Sequence, residues 1–308
     1  MEPCVSVVVP SHNRASILAE TIPTYLQDGV AELILVDDAS TDDTPEVVAG
    51  LMKEHSQIRY YRNEKNLRQT GTKNRALQYV TQPYVYFGDD DSILLPGSIS
   101  FLLQAMKKYH ADVMGALPLY ADDDKDLRDV SALVERKAPI VDSWQSKIKL
   151  NHLETVDFFF RMKEPCQVPF THACALVKKQ WAKRAQFDPG YIGNSYREET
   201  DYWLQLGEQG AKIYFAASGN AAQINYPYSR IGRNRTFTSM WKHGKYDLLN
   251  TLRLIDKHHT YFRTKLGYPH SKAFMKISYV ICDLSMYAAL FPKRVLGMIV
   301  KKLKVARK

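Results

Sequence analysis

Three acidic clusters carry the residue types and spacing that chemistry needs. Asp37-Asp38 follows the apolar run 33–36, Asp89-Asp90-Asp91 follows the apolar run 84–87, and Glu198-Glu199-Thr200-Asp201 opens a stretch with helical periodicity. Adjacent carboxylates repel one another, and a divalent cation offsets that cost. Asp and Glu oxygens suit Mg²⁺ or Mn²⁺, ions that also take substrate phosphate oxygens. Asp89 and Asp91 fall on one side of an extended chain. Glu198, Glu199 and Asp201 fall in the first turn of a helix, where the dipole and the free N–H groups favour anions. A deprotonated carboxylate there is equipped to take the proton of an attacking hydroxyl. Read without the other motifs, each cluster is equally an exposed acidic turn or a helix cap.

Other chemistries are disfavoured. No G-x-G-x-x-G follows the first apolar run, and no G-x-x-x-x-G-K-[ST] occurs, so neither phosphate-cradling loop is present. No Ser–His–Asp or Cys–His arrangement is arguable. Cys4, Cys166, Cys174 and Cys282 form no C-x-x-C pair and no zinc spacing. They read as buried reduced thiols.

The elements that must position the acids alternate. Residues 5–9, 33–36, 58–61, 84–87 and 113–117 read as strands; residues 15–27, 44–55, 72–80 and 96–109 read as helices, the first interrupted by Pro23. Such alternation predicts βαβ units and a doubly wound, mostly parallel sheet, an α/β class. Ligands of such sheets bind at the carboxyl ends of the strands. Those ends carry Pro10-Ser11-His12-Asn13-Arg14, Asp37-Asp38, Asn63 to Arg68, and Asp89-Asp90-Asp91. The polar insert 120–138 reads as a solvated loop or hairpin, since it lacks the Gly and terminal Glu of a calcium loop. Beyond it, 173–177, 212–215 and 221–226 read as strands and 198–208 as a helix, followed by helices over 237–255, 271–290 and 293–304.

The 308 residues carry a formal charge of +9, unevenly spread. Residues 230–308 hold 18 Lys and Arg against 3 Asp and Glu, a net of +15, whereas residues 1–229 hold 24 against 30, a net of −6. An acidic body with a basic C-terminal segment predicts an anionic partner. In 294–308, Val295, Leu296, Met298, Ile299 and Leu303 oppose Lys301, Lys302, Lys304 and Arg307, an amphipathic pattern suited to anionic lipid. No apolar run reaches the roughly 20 residues of a membrane span, and no signal-peptide pattern opens the chain. The expected location is cytoplasmic, with peripheral contact at the inner face of the membrane. Arg230, Arg233 and Arg235 follow the last strand as a candidate anion clamp, and His243 as a candidate metal contact.

Four of these segments, in this order, resemble the family 2 glycosyltransferases of the GT-A fold. Val5 to Arg14 looks like the family's opening strand and its P-x-x-N turn. Ile34 to Thr44 looks like its V-D-D-x-S-x-D-x-T motif, with Lys73-Asn74 at an R-N position further on. Tyr86 to Asp91, followed by Leu94-Leu95-Pro96-Gly97, looks like its D-x-D segment.

The resemblance covers residues 4 to about 215 and implies roles. Pro10, His12 and Arg14 border the donor's base and ribose, Asp38 hydrogen-bonds the base, and Asp37 and Asp90 join the nucleotide-binding set. Lys73 lies near the diphosphate. Asp89 and Asp91 hold Mn²⁺ or Mg²⁺, with Asp91 the direct ligand; Ser92 replaces the second Asp of the common D-x-D-D form. Glu199, where the family usually has Asp, is the catalytic base, with Glu198 and Asp201 in reserve.

The resemblance also implies a GT-A domain over 1–229, divided into a nucleotide-binding half (1–118) and an acceptor-side half (119–229), with a helical segment over 230–308. The implied reaction is inverting transfer from a nucleotide-diphosphate sugar, UDP-linked, to a glycan or lipid-linked acceptor in cell-surface polysaccharide synthesis. No nucleic-acid partner is expected. The alternatives are an inactive GT-A-like domain that binds sugar nucleotide or glycan, and a sugar nucleotidyltransferase.

Overall fold

The computed structural model describes residues 2, 4–148, 156–193, 195–227 and 237–284, with side chains from 244 onward in the last stretch. The chain divides into two compact units. The first takes in Met1–Lys147, Asp157–Gly190 and Glu198–Asn234; the second takes in Ile148–Val156, Tyr191–Arg197 and Arg235–Lys308.

The first unit opens with four parallel strands: β1 (Val5–Ser11), β2 (Val30–Asp37), β3 (Ile58–Arg62) and β4 (Tyr84–Phe87). Val5, Val7, Val8 and Val9 are all fully buried, which is why β1 is apolar without alternation: helices or other elements cover both faces of a parallel sheet. The connecting helices are α1 (Ala15–Thr21), α2 (Thr44–Glu54) and α3 (Arg68–Ala76). The helix expected over 15–27 stops at Thr21 and continues as a 3₁₀ turn, Ile22–Tyr25. Pro23 supplies no N–H for an α-helical bond there. The helix expected over 72–80 begins earlier, at Arg68, and ends at Ala76.

Next come β5 (Ser92–Leu94), α4 (Ser98–Lys108), β6 (Val113–Gly115) and β7 (Leu117–Tyr120). The single strand expected over 113–117 is therefore two, and the break at Ala116 sends β7 into a second sheet. The insert expected as a loop or hairpin folds instead into α5 (Asp124–Arg128) and α6 (Val130–Lys137). Its acids explain the difference. Asp123 and Asp129 accept from the N–H groups of Lys125 and Ala132 and so cap the two helices, while Asp122 pairs with Arg136 and Lys137.

The unit is completed by β8 (Cys166–Gln167), β9 (Ala175–Lys178), α7 (Lys179–Ala182), α8 (Glu198–Glu208), β10 (Ile213–Phe215) and β11 (Ala222–Asn225). The eight-stranded sheet runs β3-β2-β1-β4-β9-β6-β10-β8, and a three-stranded sheet runs β5-β11-β7. In the large sheet β9 is antiparallel to both β4 and β6, and β8 is antiparallel to β10. The strand order turns back at β1, between β2 and β4, and this is where ligands bind in such sheets.

In the second unit a long helix, α9 (Phe237–Thr264), outruns the expected end at 255, and a further helix, α10, covers 272–284. The Asn250 side chain exchanges two hydrogen bonds with the backbone of Ile192, at 3.0 and 2.9 Å. Gly193 sits so close to the Tyr246 ring that a Cβ would lie 2.0 Å from it. The expected helix over 293–304 lies outside the described residues.

Candidate active site

The carboxyl ends of β1, β2 and β4 converge. Asp38 N–H donates to the Ser11 carbonyl at 2.7 Å, and His12 Nδ1 lies 2.8 Å from the Asp38 carbonyl. The Asp38 carboxylate is buried, and its Oδ1 accepts from Asn63 Nδ2 and from Leu67 N–H, both at 2.7 Å. Asp37 is also buried. It accepts from Ser40 N–H at 2.9 Å and from the Tyr60 hydroxyl at 2.6 Å, with Arg62 Nε at 3.7 Å. Ala39 between Asp38 and Ser40 takes a left-handed φ of 57°, so the turn is held by these bonds rather than by local preference. Pro10 pairs in register with Val36 at the last stretch of β1.

The three acids after β4 face this turn. His12 N–H donates to Asp90 Oδ2 at 3.2 Å, and Arg14 Nε lies 3.4 Å from Asp90 Oδ1, with its guanidinium 3.9 Å from Asp91 Oδ2. The Tyr25 hydroxyl donates to the Asp89 carbonyl at 3.0 Å and accepts from Asp89 N–H at 3.1 Å. Gln223 Nε2 donates to Asp89 Oδ2 at 3.0 Å, and Asn225 Nδ2 to Asp91 Oδ1 at 3.2 Å, so β11 orients both side chains.

Removal from water and the neighbouring Asp91 push Asp89 up to about 6 against the pull of Lys73, and push Asp90 up to about 7 against Arg14. Arg14 and Lys73 thus offset only part of the cluster's negative charge. Among the described residues no three His, Cys, Asp or Glu converge into a metal cage. Hard carboxylate oxygens short of a full cage nevertheless fit Mg²⁺ or Mn²⁺, which complete their shells with phosphate oxygens.

A second cluster forms where α3 meets α8. Lys73 is only 2% exposed, and its Nζ donates to Glu198 Oε1 at 3.0 Å and to Glu199 Oε1 at 2.7 Å. Gln69 Nε2, one turn earlier on α3, donates to the same Glu199 oxygen at 3.2 Å. The Lys73 ammonium also lies 5.1 Å from the centre of the Phe187 ring. Burial works against the Lys73 charge, but the two glutamates outweigh it and raise its pKa.

The two glutamates are not equivalent. Glu198 is 1% exposed, and burial pushes it up to about 8 despite Lys73. Its Oε2 is buried and has no hydrogen-bond partner. The Glu199 side chain is 26% exposed; burial raises it, but Lys73 and then His172 outweigh that and hold it below the ordinary glutamate value. Burial thus favours the neutral form of Glu198, while Lys73 favours the ionised form of Glu199. Asp89 is within electrostatic reach of both Lys73 and Glu199, which links the two clusters.

Asp201 is fully buried, and its Oδ2 accepts from Gln205 one turn on in α8, at 2.7 Å. The His243 side chain and Arg230, Arg233 and Arg235 lie outside the described residues.

Sequence reasoning missed Gln69, His172, Gln223, Asn225 and Tyr25. Each stands alone in the sequence without a motif, and only the fold brings it to an acid. His172, whose pKa burial lowers despite Glu199, could have been sought as the histidine directly before the expected strand 173–177.

The model of the family described as Glycosyl transferase family 2 matches residues 6–168. A GalNAc(5)-diNAcBac-PP-undecaprenol beta-1,3-glucosyltransferase from Campylobacter jejuni is 38% identical over 117 residues, 37% of this chain and 38% of that protein. Glycosyltransferase GlyG from Streptococcus pneumoniae is 30% identical over 116 residues, again 37% of this chain and 38% of that one. The matched stretch thus spans well under half the length of these relatives. Among solved structures, the mannosyltransferase PcManGT from Pyrobaculum calidifontis, in complex with GDP-Man and Mn²⁺, aligns over 100% of this chain and 81% of its own, with a TM-score of 0.56 and 14% identity. S. aureus TarS 1–349 in complex with UDP-GlcNAc aligns over 90% of this chain and 70% of its own, with a TM-score of 0.56 and 14% identity. At such identities the likeness speaks for the fold, which is GT-A. With more than half of its length matched by the family model and its acid clusters gathered at the strand ends of that fold, the chain belongs to glycosyl transferase family 2.

Proposed function

We propose that the chain transfers a sugar, with inversion, from a UDP-linked donor to a hydroxyl of a lipid-linked or cell-surface glycan acceptor. One observation carries the reading: the Glu199 carboxyl group is partly exposed, accepts from Lys73 at 2.7 Å, and is within electrostatic reach of the Asp89 carboxylate. An inverting transfer needs a base and a leaving-group site side by side.

In this reading His12 and Arg14 border the nucleoside, and Asp38 meets the base through the turn that Asp37 braces. Asp89, Asp90 and Asp91 face the diphosphate. Asp89 and Asp91 would hold a divalent cation, which would supply Lewis-acid stabilisation of the departing diphosphate. Glu199 takes the acceptor proton as the acceptor oxygen attacks the anomeric carbon. Lys73 fixes the position of Glu199 and keeps it ionised. The UDP preference is supported by the base-facing Asp38 motif and by a structural neighbour solved with UDP-GlcNAc; another neighbour holds GDP-Man. A lipid-linked acceptor is supported by the undecaprenol-linked substrate in the name of one relative and by the basic C-terminal segment, which would meet an anionic membrane surface.

Calorimetry with UDP, GDP, CDP and TDP, with and without Mn²⁺, tests the reading on wild type and Asp91→Asn. UDP binding that needs both Mn²⁺ and Asp91 supports it. Absence of binding to every nucleotide would overturn it in favour of a domain without activity.

A further inference from the structure

On the three-stranded sheet, Tyr120 at the end of β7 stands opposite Asn225 of β11 in a parallel register. Residues paired in a parallel ladder send their side chains to the same face. That face already carries Gln223 and Asn225, which hold Asp89 at 3.0 Å and Asp91 at 3.2 Å. Tyr120 is therefore one strand spacing, about 4.8 Å, from a residue that touches the acid cluster. Beside it is an open cavity of about 260 Å³, lined among the described residues by Tyr120, Lys137 and Phe159. The Tyr120 and Phe159 rings meet edge to face with centroids 5.7 Å apart, and both are half-buried. Phe158, next in the chain, turns its ring edge to His172, which is within electrostatic reach of Glu199. The cavity walls thus connect to the acids on one side and to the neighbourhood of the proposed base on the other.

We propose that this cavity is a subsite for one neutral pyranose ring of the acceptor glycan, its C–H face laid on Tyr120 and Phe159 and a hydroxyl held by Lys137. The subsite rests on the transferase reading above and names the acceptor chemistry of that site. Its volume falls below the range of about 300–1,000 Å³ that whole small-molecule ligands take, so it suits a single ring. A pyranose joins an apolar C–H face to polar hydroxyl edges, and two aromatic rings with one donor match both. Charge decides between a neutral and an anionic sugar. Lys137 Nζ donates to the Tyr120 carbonyl at 2.6 Å and to Asp122 Oδ1 at 2.7 Å, which fixes it beside the ring. An ammonium has three N–H donors, so one is left for a ligand. Lys137 and Arg136 face two acids, Asp122 and Asp126, and the charges balance. The wall therefore offers a hydrogen bond without the surplus positive charge that would hold a uronate or a phosphate.

The test is saturation-transfer NMR on the full chain with the methyl glycosides of glucose, galactose, N-acetylglucosamine and glucuronic acid, at low and high salt. At least one neutral glycoside should bind, with saturation strongest on its ring C–H protons and no loss in high salt. Phe159→Ala should weaken that binding about tenfold or more. Should this variant fail to fold, Lys137→Met replaces it; it keeps the side-chain stem, removes the donor, and should weaken binding several-fold. Binding of no neutral glycoside, equal binding by wild type and a folded variant, or a preference for the glucuronide that high salt abolishes overturns the proposal. UDP calorimetry on wild type separates this from the reaction itself. Absent nucleotide binding with a Phe159-dependent glycoside signal would support the saccharide subsite and be a failure of the proposed transfer alone.

Discussion

Lys73 and Glu199 lie 126 positions apart in the chain and meet at 2.7 Å, with Lys73 also holding Glu198 at 3.0 Å. One buried ammonium thus organises two glutamates on the first turn of α8. Removing it leaves the Glu199 carboxylate without its cation. Lys73→Met should cost about 3–5 kcal/mol of stability, the penalty of breaking a buried ion pair from one side. Urea unfolding measures it. The double variant Lys73→Met, Glu199→Gln should recover part of the loss, since Lys73 pairs with the Glu199 carboxylate at 2.7 Å; a double variant no more stable than the single would show that charge is not the cause.

The unequal states of the two glutamates predict unequal effects. Glu199→Gln removes the proposed base and should lower kcat by about 10²–10⁴-fold with donor affinity kept. Glu198→Gln copies the neutral form that burial favours and should stay within about tenfold of wild type. Steady-state kinetics of both variants on one donor and acceptor decide the assignment. A reversed ranking would hand the base role to Glu198.

Stability should depend on pH through the same pair. Glu198 moves from an ordinary value of 4.5 up to about 8 in the folded chain. Between those values the folded state holds a proton that the unfolded state releases. Its contribution is therefore full below the lower value and declines as pH rises toward the upper one. Glu199, held low, contributes in the opposite sense, and its share is lost only as pH falls into the acid range. Unfolding free energies from about pH 5 to pH 8 should fall with pH more steeply in wild type than in Glu198→Gln. Parallel slopes would show that Glu198 does not titrate there.

Tyr25 is a fully buried ring whose hydroxyl both donates to and accepts from the Asp89 backbone. Tyr25→Phe leaves an N–H and a carbonyl unpaired beside the acid cluster and should cost about 1–3 kcal/mol. The same substitution should weaken Mn²⁺-dependent nucleotide binding, because the loop carrying Asp89 loses its tie to the 3₁₀ turn. Gly88 reports on the same contact. A Cβ there would lie 2.8 Å from the Tyr25 ring, so Gly88→Ala should produce both effects too. Calorimetry and thermal melting together check these outcomes, and unaltered nucleotide binding in both variants would remove Tyr25 from the site's support.

Much of the fold was legible because buried parallel strands write themselves as unbroken apolar runs, and the acids at their ends stand out against them. The start and end of α8 were legible too, from three acids in its first turn and Gly210 beyond its last. The insert over 120–138 was misread because its acids are helix caps and ion-pair partners, roles that composition does not distinguish from a solvated loop. The break between β6 and β7 was hidden for a similar reason: a run of apolar residues does not record that its two ends enter different sheets.

The succession of strands and helices over residues 5–108, the three acid clusters and their places at strand or helix ends are all written in local sequence. Periodicity, turn chemistry and the cost of burying polar groups set them. Which acid is neutral and which ionised is a property of the assembled fold. It buries Glu198, leaves Glu199 partly open, and brings Lys73, Gln69 and His172 to them from distant segments. The fold likewise settles that Gln223 and Asn225 from β11 orient Asp89 and Asp91. Protonation, orientation and exposure depend on neighbours through space, and residues more than a hundred positions apart carry no mark in the sequence of which neighbours they will have.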